Sequence, residues 1–252
     1  MMMATMRRFG AMIGLAAILA LGGGIHARAD DALNPAQADA VKKLVHDYLL
    51  EHPEVIVESL KALDERQQAG NQAEQHQVIS ERSTELFEDP ASPVLGNPKG
   101  SVTIVEFFDF RCPYCKGMAK DLRDLVQSDG KIRLIYKDFP ILGPPSQFAS
   151  KAALAAQRQG KYAELHQALM DFKGQLTDEV VLDLAKRTGL DMARLQKDMD
   201  LPEIEAQIRK NYELATALRI SGTPGFVIGD SVVDGAMPLD KMKELVAAQR
   251  KG

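Results

Sequence analysis

One segment constrains the fold of this chain more than any other. An apolar run from Val102 to Phe108, rich in β-branched and aromatic residues, leads into Arg111-Cys112-Pro113-Tyr114-Cys115. Such a run reads as a buried strand. Beyond it Met118, Leu122, Leu125 and Val126 recur on one face of a helix, and Ile132 to Tyr136 reads as a second strand. A strand–helix–strand unit favours a parallel pair, because a helical crossover is what returns the chain to start a second strand in the same direction.

The flanks supply helices on one side and a closing hairpin on the other. Residues 146–219 show the helical period in four stretches (Phe148 to Gln157, Tyr162 to Phe172, Val180 to Arg187, Ile204 to Leu218) with glycine or proline between them. Phe226-Val227-Ile228, a Gly229-Asp230 turn and Ser231-Val232-Val233 read as a hairpin, followed by a helix from Leu239 to Arg250. Towards the N-terminus, Val41, Leu44, Val45, Tyr48 and Leu49 share a helical stripe. Pro53 can open a second helix with Ile56, Leu60 and Leu63 on its stripe. Residues 67–77 (QQAGNQAEQHQ) hold no apolar residue larger than alanine, so they read as a linker or a weakly held helix. Val78 to Phe87 reads as helix again, ahead of Pro90 and Pro93. Two short helices cannot hide two apolar stripes from water. They fold back onto the following domain, or copies from several chains pack together.

Residues 1–29 read as an address. Arg7 and Arg8 precede a 13-residue apolar stretch, Phe9 to Leu21, and Ala27-Arg28-Ala29 forms a small-x-small cleavage site. The stretch falls short of the roughly 20 residues that span a bilayer. The mature chain is therefore expected to start near Asp30 in an oxidising compartment. The 252 residues carry 31 basic and 35 acidic side chains, a net charge of -4. Without residues 1–29 the balance is 28 to 35, net -7, which argues against nucleic-acid binding. Two cysteines exclude a disulfide-dense scaffold and a four-cysteine zinc site.

Those two cysteines carry the chemistry. As a staple, a disulfide closing four residues contributes only about 2 kcal/mol, against about 3 for a 15-residue loop. As a redox pair the spacing makes sense. Cys112 falls where a strand ends and a helix begins, and Pro113 suits the first helical position. Unpaired amides and the helix dipole there lower the pKa of the Cys112 thiol, and Cys115, one turn inside, is placed to resolve a mixed disulfide. Two thiolates can also bind a soft metal ion. The histidines after residue 29 (His46, His52, His76, His166) are remote from the cysteines in sequence, so no metal site and no cofactor is assigned.

The strand running into Cys-Pro-Tyr-Cys, the helical insertion, and Gly222-Thr223-Pro224-Gly225 before the last hairpin together resemble the DsbA-like branch of the thioredoxin superfamily. With the N-terminal helices and polar segment, the chain is most similar to the suppressor-of-copper-sensitivity C (ScsC) proteins. The resemblance implies an α/β thioredoxin fold with a helical-domain insertion, preceded by an N-terminal helical oligomerisation segment. The expected boundaries are a signal peptide at 1–29, helices at 30–66, a linker at 67–77 and a catalytic domain at 78–252. Within that domain the thioredoxin core comprises 92–143 and 220–252, and the insertion 144–219.

The resemblance makes Cys112 the nucleophile and Cys115 the resolving thiol. Thr223-Pro224 becomes a cis-proline loop that binds extended substrate beside Pro113 and Tyr114; from sequence alone Pro224 says only that the turn is tight. Glu106 matches the buried acid that moves protons at the resolving cysteine, and burial in a central strand would raise its pKa. Lys137 either pairs with Glu106 or is a solvated strand-end lysine. DsbA has Pro-His between its cysteines and valine before the cis-proline. Tyr114 and Thr223 here point towards a less oxidising disulfide and the reduced-state isomerases. The expectation is a periplasmic, homo-oligomeric disulfide isomerase or reductase, a trimer by resemblance to some ScsC proteins. It would act on unfolded or misoxidised exported proteins and be kept reduced by a membrane electron donor of the DsbD/ScsB kind. The alternatives are a monomeric DsbA-like oxidase and a copper-binding or chaperone module on the same fold.

Overall fold

The computed structural model describes residues 33–250, so the expected signal peptide lies outside the described residues. The chain divides into two units, residues 1–59 and 60–252. In the first, helix α1 (Pro35–Glu51) begins with a reciprocal cap. The Asn34 side chain accepts from Gln37 N–H at 2.9 Å, while Gln37 Oε1 accepts from Asn34 N–H at 3.0 Å, with Pro35 in the first turn. No residue of α1 is buried, and Leu44, Val45 and Tyr48 are 50% to 67% exposed.

Helix α2 (Glu54–Glu81) starts immediately after Pro53 and runs from the first unit into the second. Residues 67–77, expected as a linker or a weak helix, lie inside it; their glutamines, glutamate and alanines are sound helix formers, and one glycine does not outweigh them. The last turns of α2 are held by the second unit. Gln75 Nε2 donates to the Leu218 carbonyl at 2.8 Å, Glu74 pairs with Arg219, and Ile79 is buried. A short helix α3 (Ser83–Phe87) follows and buries Leu86.

A five-stranded mixed sheet organises the second unit: β1 (Val94–Gly96), β2 (Val102–Phe108), β3 (Ile132–Asp138), β4 (Gly225–Ile228) and β5 (Ser231–Asp234), in the order β1-β3-β2-β4-β5. Strands β2 and β3 are parallel and joined through helix α4 (Pro113–Asp129); β1 on β3, β4 on β2 and the β4–β5 hairpin are antiparallel. Between β3 and β4 run five helices: α5 (Pro144–Gln157), α6 (Tyr162–Asp171), α7 (Asp178–Arg187), α8 (Met192–Met199) and α9 (Pro202–Ala217). Helix α10 (Leu239–Gln249) closes the fold. Among the described residues no helix is long and apolar enough to cross a membrane.

The period-2 alternation of β2 sorts its side chains between two cores. Val102, Ile104 and Phe108 join one core with the cysteines, α4, the insertion and α10. Val105 and Phe107 join the other, with Ile79, Leu86 and the C-terminal half of α9. By the same alternation Glu106 points to the face that carries the cysteines. The parallel register sets Glu106 beside Tyr136 and therefore Phe107 beside Lys137. Lys137 thus lies on the opposite face from Glu106, which excludes the expected pair. It is not solvated either: it is fully buried, and Nζ donates to the Glu85 carbonyl and to Ser92 Oγ, both at 2.7 Å, with Asp89 4.0 Å away.

Candidate active site

Cys112 is the N-cap residue of α4 and Pro113 its first helical residue. The loop before it is shaped by Asp109, which is fully buried. One carboxylate oxygen of Asp109 accepts from Arg111 N–H at 2.7 Å and Ser146 O–H at 2.8 Å, and the other from Leu142 N–H at 2.9 Å. The Asp109 carbonyl accepts from Cys112 N–H at 3.1 Å. Sequence reasoning passed over this residue. Its only signal was an aspartate between a strand and a helix start, where such side chains build turns.

Both cysteines are free thiols, Cys112 4% exposed and Cys115 fully buried. Their acidities are driven apart. The Cys112 thiol is lowered to about 5, first by a hydrogen bond from the Cys115 thiol and then, against the cost of burial, by Thr223 and the main-chain N–H groups of Cys115 and Tyr114. Cys115 is pushed far above the ordinary thiol range by burial, by its bond to Cys112 and by the charge of Glu106. A thiolate therefore stands at the helix end while its partner keeps its proton. The absence of a histidine between the cysteines does not leave Cys112 unstabilised, because main-chain and thiol donors supply the stabilisation.

Glu106 is 2% exposed, and burial together with the negative charge at Cys112 raises its pKa to about 8. A carboxyl poised near neutrality on the cysteine side of the sheet suits it to exchange a proton with Cys115.

Across the site, the Thr223–Pro224 peptide bond is cis, and the Thr223 carbonyl lies 3.0 Å from Cys112 Sγ, where it accepts from the sulfur only while Cys112 is protonated. Asp234 holds this loop from behind, accepting from Ser221 N–H at 3.2 Å, Ser221 O–H at 2.7 Å and Gly222 N–H at 3.3 Å. Sequence reasoning missed Asp234 as well, since it lies in the following strand. Gly225 is required for packing: a Cβ there would come within 2.4 Å of Ile220 Cγ2. Tyr114 stands 68% exposed at the rim and Pro113 is also exposed. Thus Cys112, Cys115, Glu106, Pro113, Tyr114, Thr223 and Pro224 converge on one end of the sheet.

The histidines fall elsewhere. His46 and His52 lie in the N-terminal unit, and His166 is buried against Phe108, Phe110, Tyr136 and Tyr162. Among the described residues no three His, Cys, Asp or Glu side chains cluster as metal ligands.

The DSBA-like thioredoxin domain family matches residues 103–247, and the copper resistance protein ScsC N-terminal domain matches residues 37–69. A thioredoxin-like oxidoreductase from Silicibacter pomeroyi is 46% identical, with a TM-score of 0.66 over 67% of this chain and 98% of that one. Proteus mirabilis ScsC in a transitional conformation is 32% identical, with a TM-score of 0.64 over 86% of this chain and 97% of that one. Disulfide bond formation protein D of Bacillus subtilis is 27% identical over 172 residues, 64% of this chain and 78% of that protein. The chain also matches two curated Na+/H+ antiporters from Salinispora species, of whose length it spans 25% and 21%.

Proposed function

Because this chain belongs to the DSBA-like thioredoxin domain family, we propose that it is a thiol–disulfide oxidoreductase working as an oligomeric disulfide isomerase or reductase on exported proteins. The observation that carries the chemistry is the asymmetry of the two thiols, Cys112 held low and Cys115 held high.

The reaction follows from that asymmetry. The Cys112 thiolate attacks one sulfur of a substrate disulfide, forming a mixed disulfide and releasing the other sulfur as a thiolate. That thiolate either attacks another disulfide of the substrate, whose displaced thiolate attacks the mixed disulfide and frees the Cys112 thiolate with no net oxidation, or it takes up a proton. In the second case the mixed disulfide has removed the Cys112 charge that helped hold a proton on Glu106, and the ionised Glu106 carboxylate takes the Cys115 proton as Cys115 attacks Cys112 Sγ. The substrate leaves with both its sulfurs reduced, and two electrons have passed from the protein. A burial-raised carboxylate suits the proton step. The Thr223–Pro224 loop, with main-chain groups facing Cys112, is suited to align the substrate backbone.

Support for an oligomer comes from the N-terminal segment. Its helices leave Leu44, Val45, Tyr48, Ile56 and Val57 exposed in one chain, and residues 37–69 match the ScsC N-terminal domain. Assembly of this segment would hide those stripes and present several reduced sites to one substrate; a trimer is the working number. A periplasmic setting and a membrane electron donor of the DsbD/ScsB kind belong to the same reading.

One observation favours the runner-up, a monomeric oxidase: a Cys112 pKa of about 5 stabilises the reduced form and so makes the disulfide more oxidising. Reactivation of scrambled ribonuclease by the reduced protein, residues 30–252, separates the two. Recovery that depends on Cys112 supports the isomerase; oxidation of reduced ribonuclease without reactivation of the scrambled form puts the oxidase first. Light-scattering mass with and without residues 30–66 tests the assembly, and an unchanged oligomer after deletion sinks it.

A further inference from the structure

Helix α4 has two faces. One buries Cys115, Ala119, Leu122, Leu125 and Val126. The other sets Lys116, Lys120 and Arg123 at spacings of four and three, a cationic stripe one residue beyond the active cysteines. This stripe forms one wall of an open groove of about 1010 Å³, whose other wall is the end of α6 and the segment after it. Arg111 and Pro113, the residues on either side of Cys112, line its mouth.

The charge in the groove is unbalanced. Arg111, Lys116, Lys120, Arg123 and Lys173 line it, against Asp124 and Asp171. Both carboxylates are already engaged, Asp124 with Lys120 at 2.5 Å and Asp171 with Arg123 at 2.9 Å. Arg111 and Lys116 donate only to carbonyls, Arg111 to Leu142 at 2.6 Å and Lys116 to Leu169 and Phe172 at 2.6 and 2.8 Å. Carbonyl dipoles satisfy their hydrogen bonds and leave their charge. Among the described residues Arg111, Lys116 and Lys173 have no carboxylate within ion-pair distance, a local excess of positive charge on a chain whose net charge is -4.

We propose that this groove takes an acidic segment of the substrate polypeptide beside its reacting cysteine. The inference rests on the thiol-exchange reading and adds a substrate preference to it. A sulfur bonded to Cys112 sits between the Thr223–Pro224 loop and the groove mouth, so one flank of the substrate cysteine is delivered into the groove. Along α4 the groove runs from Pro113 to Gln127. Fourteen residues of helix rise about 20 Å, the span of about six residues of extended chain. That length fits a peptide better than a small thiol, and the charge selects carboxylates.

The test is exchange between the reduced protein and peptide disulfides whose cysteine is flanked, within six residues on either side, by Asp and Glu or by Asn and Gln. The full-length mature protein should react about tenfold faster with the acidic peptide at low salt, and the preference should shrink as salt rises. Lys120→Glu with Lys173→Glu, two exposed positions of the groove, should abolish the preference by slowing exchange with the acidic peptide far more than exchange with the Asn/Gln peptide. Equal rates for the two peptides, or a preference that survives the double reversal, overturn the proposal. Absence of exchange with either peptide overturns the thiol-exchange reading itself, and this inference with it.

Discussion

Replacing Glu106 by glutamine removes a titration and keeps the shape, and the structure sets the size of the effect. The carboxyl moves from an ordinary value of 4.5 to about 8 in the folded protein. A group whose folded pKa is raised contributes stability that is complete below its unfolded pKa and is lost as pH rises through the folded one. At about pH 7 the unfolded chain has released this proton and the folded chain retains it, over about 2.5 pH units of separation. At about 1.4 kcal/mol per unit the ionisable group then costs about 3 kcal/mol of stability. Glutamine does not titrate. Urea unfolding of the reduced proteins should show the variant gaining about 3 kcal/mol on the wild type between about pH 4 and pH 7. The comparison between the two proteins cancels the titrating groups that do not interact with Glu106.

The same substitution should slow the second chemical step. With no carboxylate to accept the Cys115 proton, release of a substrate trapped on Cys112 should slow by about a hundredfold, while formation of that mixed disulfide changes little. Stopped-flow measurement of the two phases separates them. A difference in stability that is the same at both pH values refutes the raised pKa. Release at the wild-type rate refutes the proton-transfer role.

The rate of Cys112 alkylation should follow a titration with its midpoint at about 5 and be flat at neutral pH; a midpoint in the ordinary thiol range, about 8.5, would mean that the donors at the helix end do not stabilise the thiolate. His166 is buried with Nε2 unpartnered, and burial, with Arg123 second, lowers its pKa to about 3 from 6.5. Stability contributed by its neutral form is present above about pH 6.5 and lost as pH falls towards 3. The difference in unfolding free energy between His166→Leu and the wild type should therefore move about 3 kcal/mol in the variant's favour from about pH 7.5 to pH 4.5, and no movement would place His166 in contact with water.

Much of this site was legible because its parts are local. Strand β2 spans Val102–Phe108 as its composition indicates, and Cys112 is the N-cap of α4 as the strand–CxxC–helix order requires. The hairpin was legible from the Gly229-Asp230 turn between two β-rich runs. Strand β1 was not: three residues that follow a proline and end in a glycine carry no period, and they become a strand only because β3 offers an edge. Residues 67–77 lacked an apolar stripe and so read as a linker, yet helix propensity and the contacts from Glu74 and Gln75 keep them inside α2.

What the sequence by itself determined was the redox pair, its place at a helix N-terminus and the buried central strand that carries Glu106, because each depends on residues within one or two elements. Only the tertiary structure decided what surrounds them. Lys137 lies one residue past the position beside Glu106, and the parallel register of β2 and β3 sends it to the opposite face, where Ser92 and the Glu85 carbonyl receive it. Asp109 and Asp234 order the loops on either side of Cys112 through partners as far as 37 residues away. The cationic stripe of α4 becomes a groove only when the insertion folds against it. Side-chain period is a property of one element; register and packing partners are set by which elements meet, and burial and charge follow from that meeting.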